Sequence, residues 1–475
     1  MNKNIFFQGT LARVSGYTFG TIINALVSFV SIPIMTALFP AEEMGRISLF
    51  SSYQTIALSF VFLGMDQSVS RYYYEPPQKM NSKRLTSICF GISLLACVVV
   101  SAFICVLWRH FSYLIIGAEN FYIAIGLVVA IFTHLTLRFL NQVSRLQNDV
   151  KMYVIQAVCI TIASKLSYVL AAFRSNSAFD AIITMVVFSF IVTAVFFGIK
   201  HKSTFEIPQK VSINTVKKIL VFGLPQIPVQ LLASLNANIS QIVLKKFVNY
   251  SSVGIFSTTT SVTNAIAIVQ NSINIIWGPY VYKNYKKKQE VIIKMHHIIS
   301  FLMISAGLIL CLTEDIIYYI LVDEAYWGSK IYFPLMLLSP ICYTISETLG
   351  IGFKLAEKSY WNILVYGVCF AINAILCYLL IPNLGVMGAA VSNAVSSIIM
   401  LLIKSIIGEY YYCCSDSYSK LIVAFLSMCS AVICASLYYG SIIRYIVLCC
   451  SMLITTFVYR GEIIYMKDLV LRKDM

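Results

Sequence analysis

The sequence predicts an all-α polytopic membrane protein, and three observations support this. Of the 475 residues, 59% are hydrophobic and 12% are charged, whereas a soluble globular chain carries about twice that charged share. Apolar runs of about 20 residues, the length that a helix needs to cross a bilayer, recur along the chain. The basic residues lie in short clusters between these runs, so the net charge of +15 reflects the positive-inside rule, and we predict no nucleic-acid partner.

The length criterion predicts about fourteen membrane-spanning helices, here called spans 1 to 14. The first apolar run is too long for a cleavable signal peptide and lacks a small-residue cleavage site, so we expect it to remain as a span. The predicted spans cover residues 11–38, 45–65, 85–107, 120–142, 152–173, 178–199, 218–244, 252–282, 291–312, 329–352, 360–381, 384–407, 419–440 and 442–459.

The basic residues also predict the orientation of the chain. When successive loops are assigned to alternate sides, 27 of the 35 lysines and arginines fall on one side. The acidic loop with Glu314, Asp315, Asp323 and Glu324 falls on the other side. Because basic loops remain in the cytoplasm, we expect both termini to be cytoplasmic.

Spans 7 and 8 each carry polar residues at every third or fourth position, and such residues share one helix face. An amide that faces lipid lacks a hydrogen-bond partner, which costs about 4–8 kcal/mol on a hydrocarbon reference. For a single residue the alternative is a hydrogen bond to a neighbouring helix, but two polar faces in succession predict a wet cavity. The faces contain Gln226, Gln230, Ser234, Asn238 and Gln241 in span 7, and Ser257, Ser261, Asn264, Asn271 and Asn274 in span 8.

Spans 1 and 2 repeat this pattern. Their polar faces include Asn24 and Ser52, and the connection LFPAEEMG after span 1 is similar to FVNYSSVG after span 7. A basic segment follows the second span of each pair. The repeat predicts six-helix halves at 1–205 and 206–410, an additional helix pair with a cytoplasmic tail at 411–475, and a cavity lined by spans 1, 2, 7 and 8.

Three segments resemble a known family. They are LARVSGYTFGTIINALVSFVSIPIMTALFPAEEMGRISLFSS from Leu11, FGLP from Phe222, and IPNLGVMGAAVSN from Ile381. In this order the chain is similar to Wzx-type O-antigen and capsular repeat-unit flippases, in the polysaccharide transporter branch of the MOP exporter superfamily. The resemblance implies a MATE-like, two-lobed core of six plus six helices around a central cavity, with a further helix pair at the C-terminus.

The resemblance also implies a function. Such a flippase moves undecaprenyl-pyrophosphate-linked oligosaccharide from the cytoplasmic to the periplasmic leaflet of a bacterial inner membrane, by ion-coupled alternating access, for O-antigen, capsule or exopolysaccharide synthesis. The implied partners are this lipid, a proton or sodium ion and the bilayer, with a polysaccharide polymerase and a chain-length regulator as further candidates. No covalent chemistry and no cofactor are expected. The 14 cysteines show no zinc-site spacing, so no metal is expected either.

Two alternatives stay open. A MATE-like drug/cation antiporter would have the same architecture. A membrane polysaccharide polymerase or ligase belongs to another class, and such enzymes usually carry a large outer loop with catalytic residues. No predicted outer loop of this chain is long enough to fold as a domain, which disfavours the second alternative.

Ionisable residues within spans are functional candidates, because a charge there costs at least about 2.5–3.5 kcal/mol on insertion scales. Span 4 aligns His134, Arg138 and Arg145 on one face, and the planar fork of an arginine suits phosphate oxygens. The alternative for the arginines is an anchor at the inner interface. The cavity candidates are Arg13, Asn24, Ser52, His134, Arg138, Gln230, Asn238, Gln241, Asn264 and Asn271.

The acidic residues within spans are candidates for ion coupling. Glu347 is the deepest of them and shares a face of span 10 with Lys354, seven residues later. We predict that Glu347 binds the coupling ion, and a structural ion pair with Lys354 is the alternative. Asp66, near the end of span 2, is a second candidate, for which a capping role is the alternative. The ion-coupling candidates are therefore Glu347, Asp66 and Lys354.

The orientation can be tested by cysteine labelling. In a cysteine-free background, cysteines placed at Lys202 and Lys287 should react with a membrane-impermeant maleimide only when the cytoplasmic side is accessible, because both positions fall in predicted inner loops. Labelling of either position in intact cells from the periplasmic side would show that the predicted topology is wrong.

Overall fold

The computed structural model describes residues 3–77, 80–206, 213–264 and 266–471. These residues are almost entirely helical, and no β-strand occurs among them. The predicted all-α membrane fold is confirmed. Contacts divide the chain into two compact units, Met1–Gln241 and Ile242–Met475. The division at 205/206 and 410/411 stays a prediction.

The first unit consists of helices that pack in a bundle and of short segments that continue them. The last turn of its final helix extends into the second unit. The helices are α1 Lys3–Leu38, α2 Ala41–Phe62, α3 Met65–Tyr72, α4 Ser82–Val106, α5 Trp108–Ile116, α6 Phe121–Leu146, α7 Val150–Lys165, α8 Ser167–Ala172, α9 Ala178–Thr204, α10 Ile213–Gly223 and α11 Gln226–Phe247.

The second unit has the same kind of organisation, and a 3-10 helix at Glu324–Tyr332 precedes its central helix. Its α-helices are α12 Tyr250–Thr263, α13 Ile266–Asn284, α14 Gln289–Leu312, α15 Glu314–Leu321, α16 Phe333–Leu349, α17 Ile351–Leu355, α18 Trp361–Leu384, α19 Val386–Tyr411, α20 Tyr418–Leu437, α21 Ile442–Val458 and α22 Arg460–Leu471.

The described residues account for fewer membrane-crossing helices than the fourteen predicted. Among the described residues, nine helices are long and apolar enough to cross a membrane, and two bent helix pairs raise the number to eleven. Predicted spans 1, 8 and 10 are not among these eleven. Within α1 the described apolar stretch is Ile22–Leu38, and the side chains of most residues before it lie outside the described residues. Span 8 is divided between α12 and α13, and α16 has 17 residues. The count of fourteen is therefore not confirmed.

Each unit is built around one enclosed helix. In the first unit α6 packs against α2, α4, α7 and α9, and Ile131 and Phe139 of α6 are fully buried. In the second unit α16 packs against α12, α14, α19 and α20, and Leu337 and Ile341 of α16 are buried. These helices contain spans 4 and 10, the fourth helix of each predicted half. Arg138 and Glu347 therefore lie on the most enclosed helix of their unit.

Two broken helices contact each other within the first unit. Span 2 bends by 53° between α2 and α3, where Leu63 and Gly64 have the left-handed φ values 48° and 68°. Span 7 is interrupted between α10 and α11, where Pro225 lacks a backbone donor. A Cβ atom added at Gly64 would lie 2.2 Å from the carbonyl oxygen of Gly223, so the backbones meet at a distance that only glycine allows.

This close approach predicts that Gly64→Ala destabilises the protein. The added methyl would clash with backbone at a strained φ, and we expect a loss of about 1–3 kcal/mol of unfolding free energy. Gly91→Ala in α4 is the matched control, because no heavy atom lies within 4 Å of a Cβ there. Thermal unfolding of the purified variants in detergent measures the effect, and an unchanged melting temperature for Gly64→Ala would contradict it.

Candidate functional site

The candidate site in the first unit centres on an ion pair between α3 and α6. Asp66 lies in the first turn of α3, directly after the break, and its side chain is 3% exposed. Arg138 Nη2 lies 3.1 Å from Asp66 Oδ2. The backbone N–H of Gln67 donates to Asp66 Oδ1 at 2.9 Å, and Gln67 Nε2 donates to Oδ2 at 3.2 Å. The carboxylate is thus held from three directions, while the arginine side chain remains 54% exposed.

A glutamine on α6 fixes the position of α3. Gln142 Nε2 donates to Ser70 Oγ at 2.6 Å and to the backbone carbonyl of Asp66. On the other side of α3, Ser68 Oγ donates to the carbonyl of Ile219 in α10 at 3.2 Å. The short helix after the break is therefore connected to both α6 and α10, and it carries Asp66 with it.

The predicted polar face of α6 becomes accessible towards the C-terminal end of the helix. Leu127 is fully buried, whereas His134, Arg138 and Arg145, at 7, 11 and 18 residues further on the same face, are exposed. His134 Nδ1 lies 3.0 Å from Gln54 Nε2. Since that amide nitrogen can only donate, His134 Nδ1 accepts and the ring proton is on Nε2. The face therefore combines a histidine N–H and two guanidinium groups near the predicted cytoplasmic end.

The polar residues of spans 2 and 7 bond to each other. Gln241 Oε1 accepts from Ser48 Oγ at 2.7 Å and from Ser52 Oγ at 2.8 Å. The hydroxyl groups of Ser59 and Ser234 are 2.7 Å apart. For these residues the structure therefore shows the alternative considered above, a hydrogen bond between helices.

The other cavity candidates are dispersed. Asn24 Oδ1 accepts from Thr161 Oγ1 in α7 at 3.2 Å, and Asn238 Nδ2 donates to the carbonyl of Ser234 at 2.8 Å. Gln230 is half-buried in α11, and Asn264 is exposed at the end of α12. The side chains of Arg13 and Asn271 lie outside the described residues. The cavity lined by spans 1, 2, 7 and 8 stays a prediction.

The candidate site in the second unit contains three charged residues, here called the Glu347 triad: Glu347, Lys354 and Lys404. Lys354 Nζ lies 2.7 Å from Glu347 Oε2, and Lys404 Nζ lies 2.5 Å from Glu347 Oε1. The Lys404 side chain is 1% exposed, and its ammonium group lies 5.4 Å and 5.2 Å from the ring centroids of Tyr343 and Tyr366. The ion pair considered above for Glu347 and Lys354 is present, and a second lysine completes it.

The presence of Lys404 in the triad was not predicted. Glu347 lies eight residues before Leu355, the end of α17, or about 12 Å along a helix. It is therefore closer to the predicted cytoplasmic end than a midplane site would be. Lys404 lies inside predicted span 12 and was not among the ion-coupling candidates, although its isolation within the apolar run LLIKSII is the signal that could have identified it. The ion-coupling role of Glu347 stays a prediction.

Charged contacts hold the C-terminal helices at both ends. Arg444 Nη1 of α21 lies 2.6 Å from Glu314 Oε1, and Arg444 also pairs with Asp315. At the other end His297 Nε2 of α14 lies 2.7 Å from Asp416 Oδ1, in the segment before α20. This hydrogen bond holds the pKa of the Asp416 carboxyl below its usual range. None of these pairs was predicted from the sequence.

Comparisons with known proteins give a consistent result. Residues 11–285 match the family described as "Polysaccharide biosynthesis protein". The relative "Lsg locus putative protein 1" from Haemophilus influenzae is 23% identical over 332 residues, which cover 68% of this chain and 79% of the relative.

Solved structures with the same fold include two transporters. The lipid II flippase MurJ, in an inward closed conformation, has a TM-score of 0.67 and 14% identity, with 96% of this chain and 99% of that chain covered. The inward-facing conformation of a multidrug resistance MATE family transporter of the MOP superfamily has a TM-score of 0.60 and 14% identity, with 82% and 94% covered.

Substitution of two glutamines of α11 can distinguish a residue that hydrogen-bonds to a neighbouring helix from a residue that lines a cavity. Gln241→Leu should lower the unfolding free energy by about 1–3 kcal/mol, because the half-buried Ser48 hydroxyl and the buried Ser52 hydroxyl lose the Gln241 acceptor. Gln230→Leu should leave stability unchanged and lower transport if Gln230 lines a cavity. Thermal unfolding and transport of both variants provide the measurement. Equal destabilisation by the two changes would show that Gln230 also joins helices.

Proposed function

Because this chain belongs to the polysaccharide biosynthesis protein family and has a fold shared with MOP-superfamily transporters, we propose that it moves a lipid-linked oligosaccharide across a membrane. The resemblance found in the sequence is confirmed at the level of family and fold. The chain is accordingly a multi-pass membrane protein of a transporter family. The finer assignment concerns the substrate, the coupling ion and the direction of movement.

The proposed substrate is an oligosaccharide on undecaprenyl pyrophosphate, and the observation that carries it is the Asp66–Arg138 pair. A buried carboxylate holds one edge of the guanidinium, and the side chain is still half exposed. A guanidinium has five N–H donors in a planar fork, so groups not used by Asp66 can bind a diphosphate in a bidentate manner. His134 and Arg145 extend the polar face along α6. This arrangement suits an anionic headgroup that enters from the cytoplasmic leaflet.

The proposed movement is alternating access, with both termini in the cytoplasm and the protein in a bacterial inner membrane. The break at Gly64 is a suitable hinge, because α2 and α3 meet there at a bend of 53° and the backbone packs directly against Gly223. A proton or sodium ion is the proposed source of energy, with Glu347 and Asp66 as candidate ion ligands. A polysaccharide polymerase and a chain-length regulator are the proposed protein partners. The proposed process involves no covalent chemistry.

Substitution of Arg138 tests this function. Arg138→Ala should lower glycan export about 10- to 100-fold, the range expected for a lost charge-assisted hydrogen bond of roughly 1.5–3 kcal/mol. Arg138→Lys should be intermediate, because lysine keeps the charge and loses the fork. Arg109→Ala is the control, since the Arg109 side chain is 72% exposed at the other end of the bundle. Export is measured in cells that depend on this chain, at matched expression.

The export assay and a vesicle assay together distinguish the flippase from the antiporter and the polymerase. Undiminished export in both Arg138 variants would remove Arg138 from the substrate site. In vesicles, movement of an undecaprenyl-pyrophosphate-linked oligosaccharide between leaflets is expected. Ion-driven efflux of aromatic cations without movement of the lipid would instead indicate a MATE-like antiporter. Glycan chain growth without movement would indicate a polymerase.

A further inference from the structure

The Glu347 triad contains one more positive charge than negative. Glu347 carries one carboxylate, and Lys354 and Lys404 both bond to it, each through a different oxygen. Charged groups inside a membrane protein are normally paired, because an unpaired charge is costly. Within the part of the chain that the structure describes, neither lysine pairs with a second carboxylate. The arrangement therefore leaves one positive charge available for an external anion.

The two lysines are not equivalent. Lys404 is buried beside the faces of Tyr343 and Tyr366, and both rings pack against a core of Val365, Cys369 and Met400. Cation–π attraction and burial hold the Lys404 ammonium in place. The Lys354 side chain is 30% exposed and lies in the last turn of α17, so its flexible stem can present the ammonium group to the aqueous side. Lys354 is the member of the triad that can leave.

Lys404 lowers the free-energy cost of moving Lys354 away from Glu347. If Glu347 had a single partner, removal of Lys354 would strand a buried carboxylate, which is strongly destabilising. With Lys404 permanently on Oε1, Glu347 stays paired when Lys354 moves. We propose that Lys354 is an anion-binding residue for phosphate or diphosphate groups, that Glu347 occupies it when no anion is bound, and that Lys404 is the positioning residue that permits the exchange. The physiological anion would be the diphosphate of a carrier lipid, and this part of the inference rests on the proposed function.

The exchange predicts that Glu347→Gln and Lys404→Met change pyrophosphate affinity in opposite directions. Lys354→Met should abolish binding of inorganic pyrophosphate at this site. Glu347→Gln should tighten binding about tenfold, because the competing carboxylate is gone. Lys404→Met should weaken binding about tenfold, since Glu347 then depends on Lys354 alone. The double variant Glu347→Gln with Lys404→Met should regain the affinity of Glu347→Gln.

The test uses the full-length protein in nanodiscs of zwitterionic lipid, with inorganic pyrophosphate as the probe and calorimetry as the measurement. Lys358→Met is the matched control, because this exposed lysine lies four residues from Lys354 and its ammonium group lies over the Tyr360 ring. Thermal unfolding is recorded for every variant. A purely structural triad would change melting temperatures and leave the pyrophosphate affinity of folded variants the same. Unchanged affinity in Lys354→Met, or weaker binding in Glu347→Gln, would overturn the inference.

A second arm identifies the source of the anion. Nanodiscs that contain undecaprenyl pyrophosphate should protect Lys354, and not Lys358, from acylation, and discs with zwitterionic lipid alone should not. Protection by free pyrophosphate without protection by the lipid would support the anion site but assign it to a soluble ligand. The binding measurements require no transport, so they test the anion site independently of the proposed function. Absence of pyrophosphate binding would overturn the anion site even if glycan export depends on Arg138. Export that does not depend on Arg138 would overturn the proposed function even if pyrophosphate binds.

Discussion

The cost of placing a charge in a low-dielectric environment is the constraint on which this structure depends. Among the described residues, three of the buried or nearly buried carboxylates show this most clearly, since each is bonded to a cation on a different helix. For Asp66 and Glu314, loss of the paired arginine would leave an uncompensated charge, at a cost of about 3–5 kcal/mol. The pairs therefore fix α3 against α6, α16 against α19, and α15 against α21. They are Asp66–Arg138, Glu347–Lys404 and Glu314–Arg444.

Polar residues have two different uses within the first unit. Between α2 and α11, serine and glutamine side chains satisfy each other, and this contact substitutes for the weak hydrophobic attraction between helices in lipid. On α6, a polar face is bonded only in part and remains accessible. Spans 2 and 7 also meet at Gly64 and Gly223, where the backbones approach at a distance that only glycine allows. Spans 2 and 7 thus carry the bonded surface and the glycine contact, and span 4 carries the accessible charged face.

The sequence predicted which residues share a helix face, but it did not predict what that face contacts. Periodicity placed His134, Arg138 and Arg145 together, and the structure keeps them on one exposed face. The same reasoning assigned Ser52 and Gln241 to a cavity, although they bond to each other, because a repeat of three to four residues does not reveal the partner. Lys404 was missed for the same reason, since its pairing joins residues 57 apart. The break within span 2 was not predicted, because breaks within spans are hard to place from composition.

The Arg444 contact has a consequence for the biogenesis of the protein. Glu314 and Arg444 are 130 residues apart, so at typical translation rates the arginine emerges on the order of ten seconds after the glutamate. During that interval Glu314, which is almost completely enclosed in the finished chain, has not yet met Arg444. The last helices to be synthesised therefore complete a contact begun by a much earlier segment. In a nascent chain that stops before α21, this acidic connection would remain exposed to the quality-control machinery of the membrane.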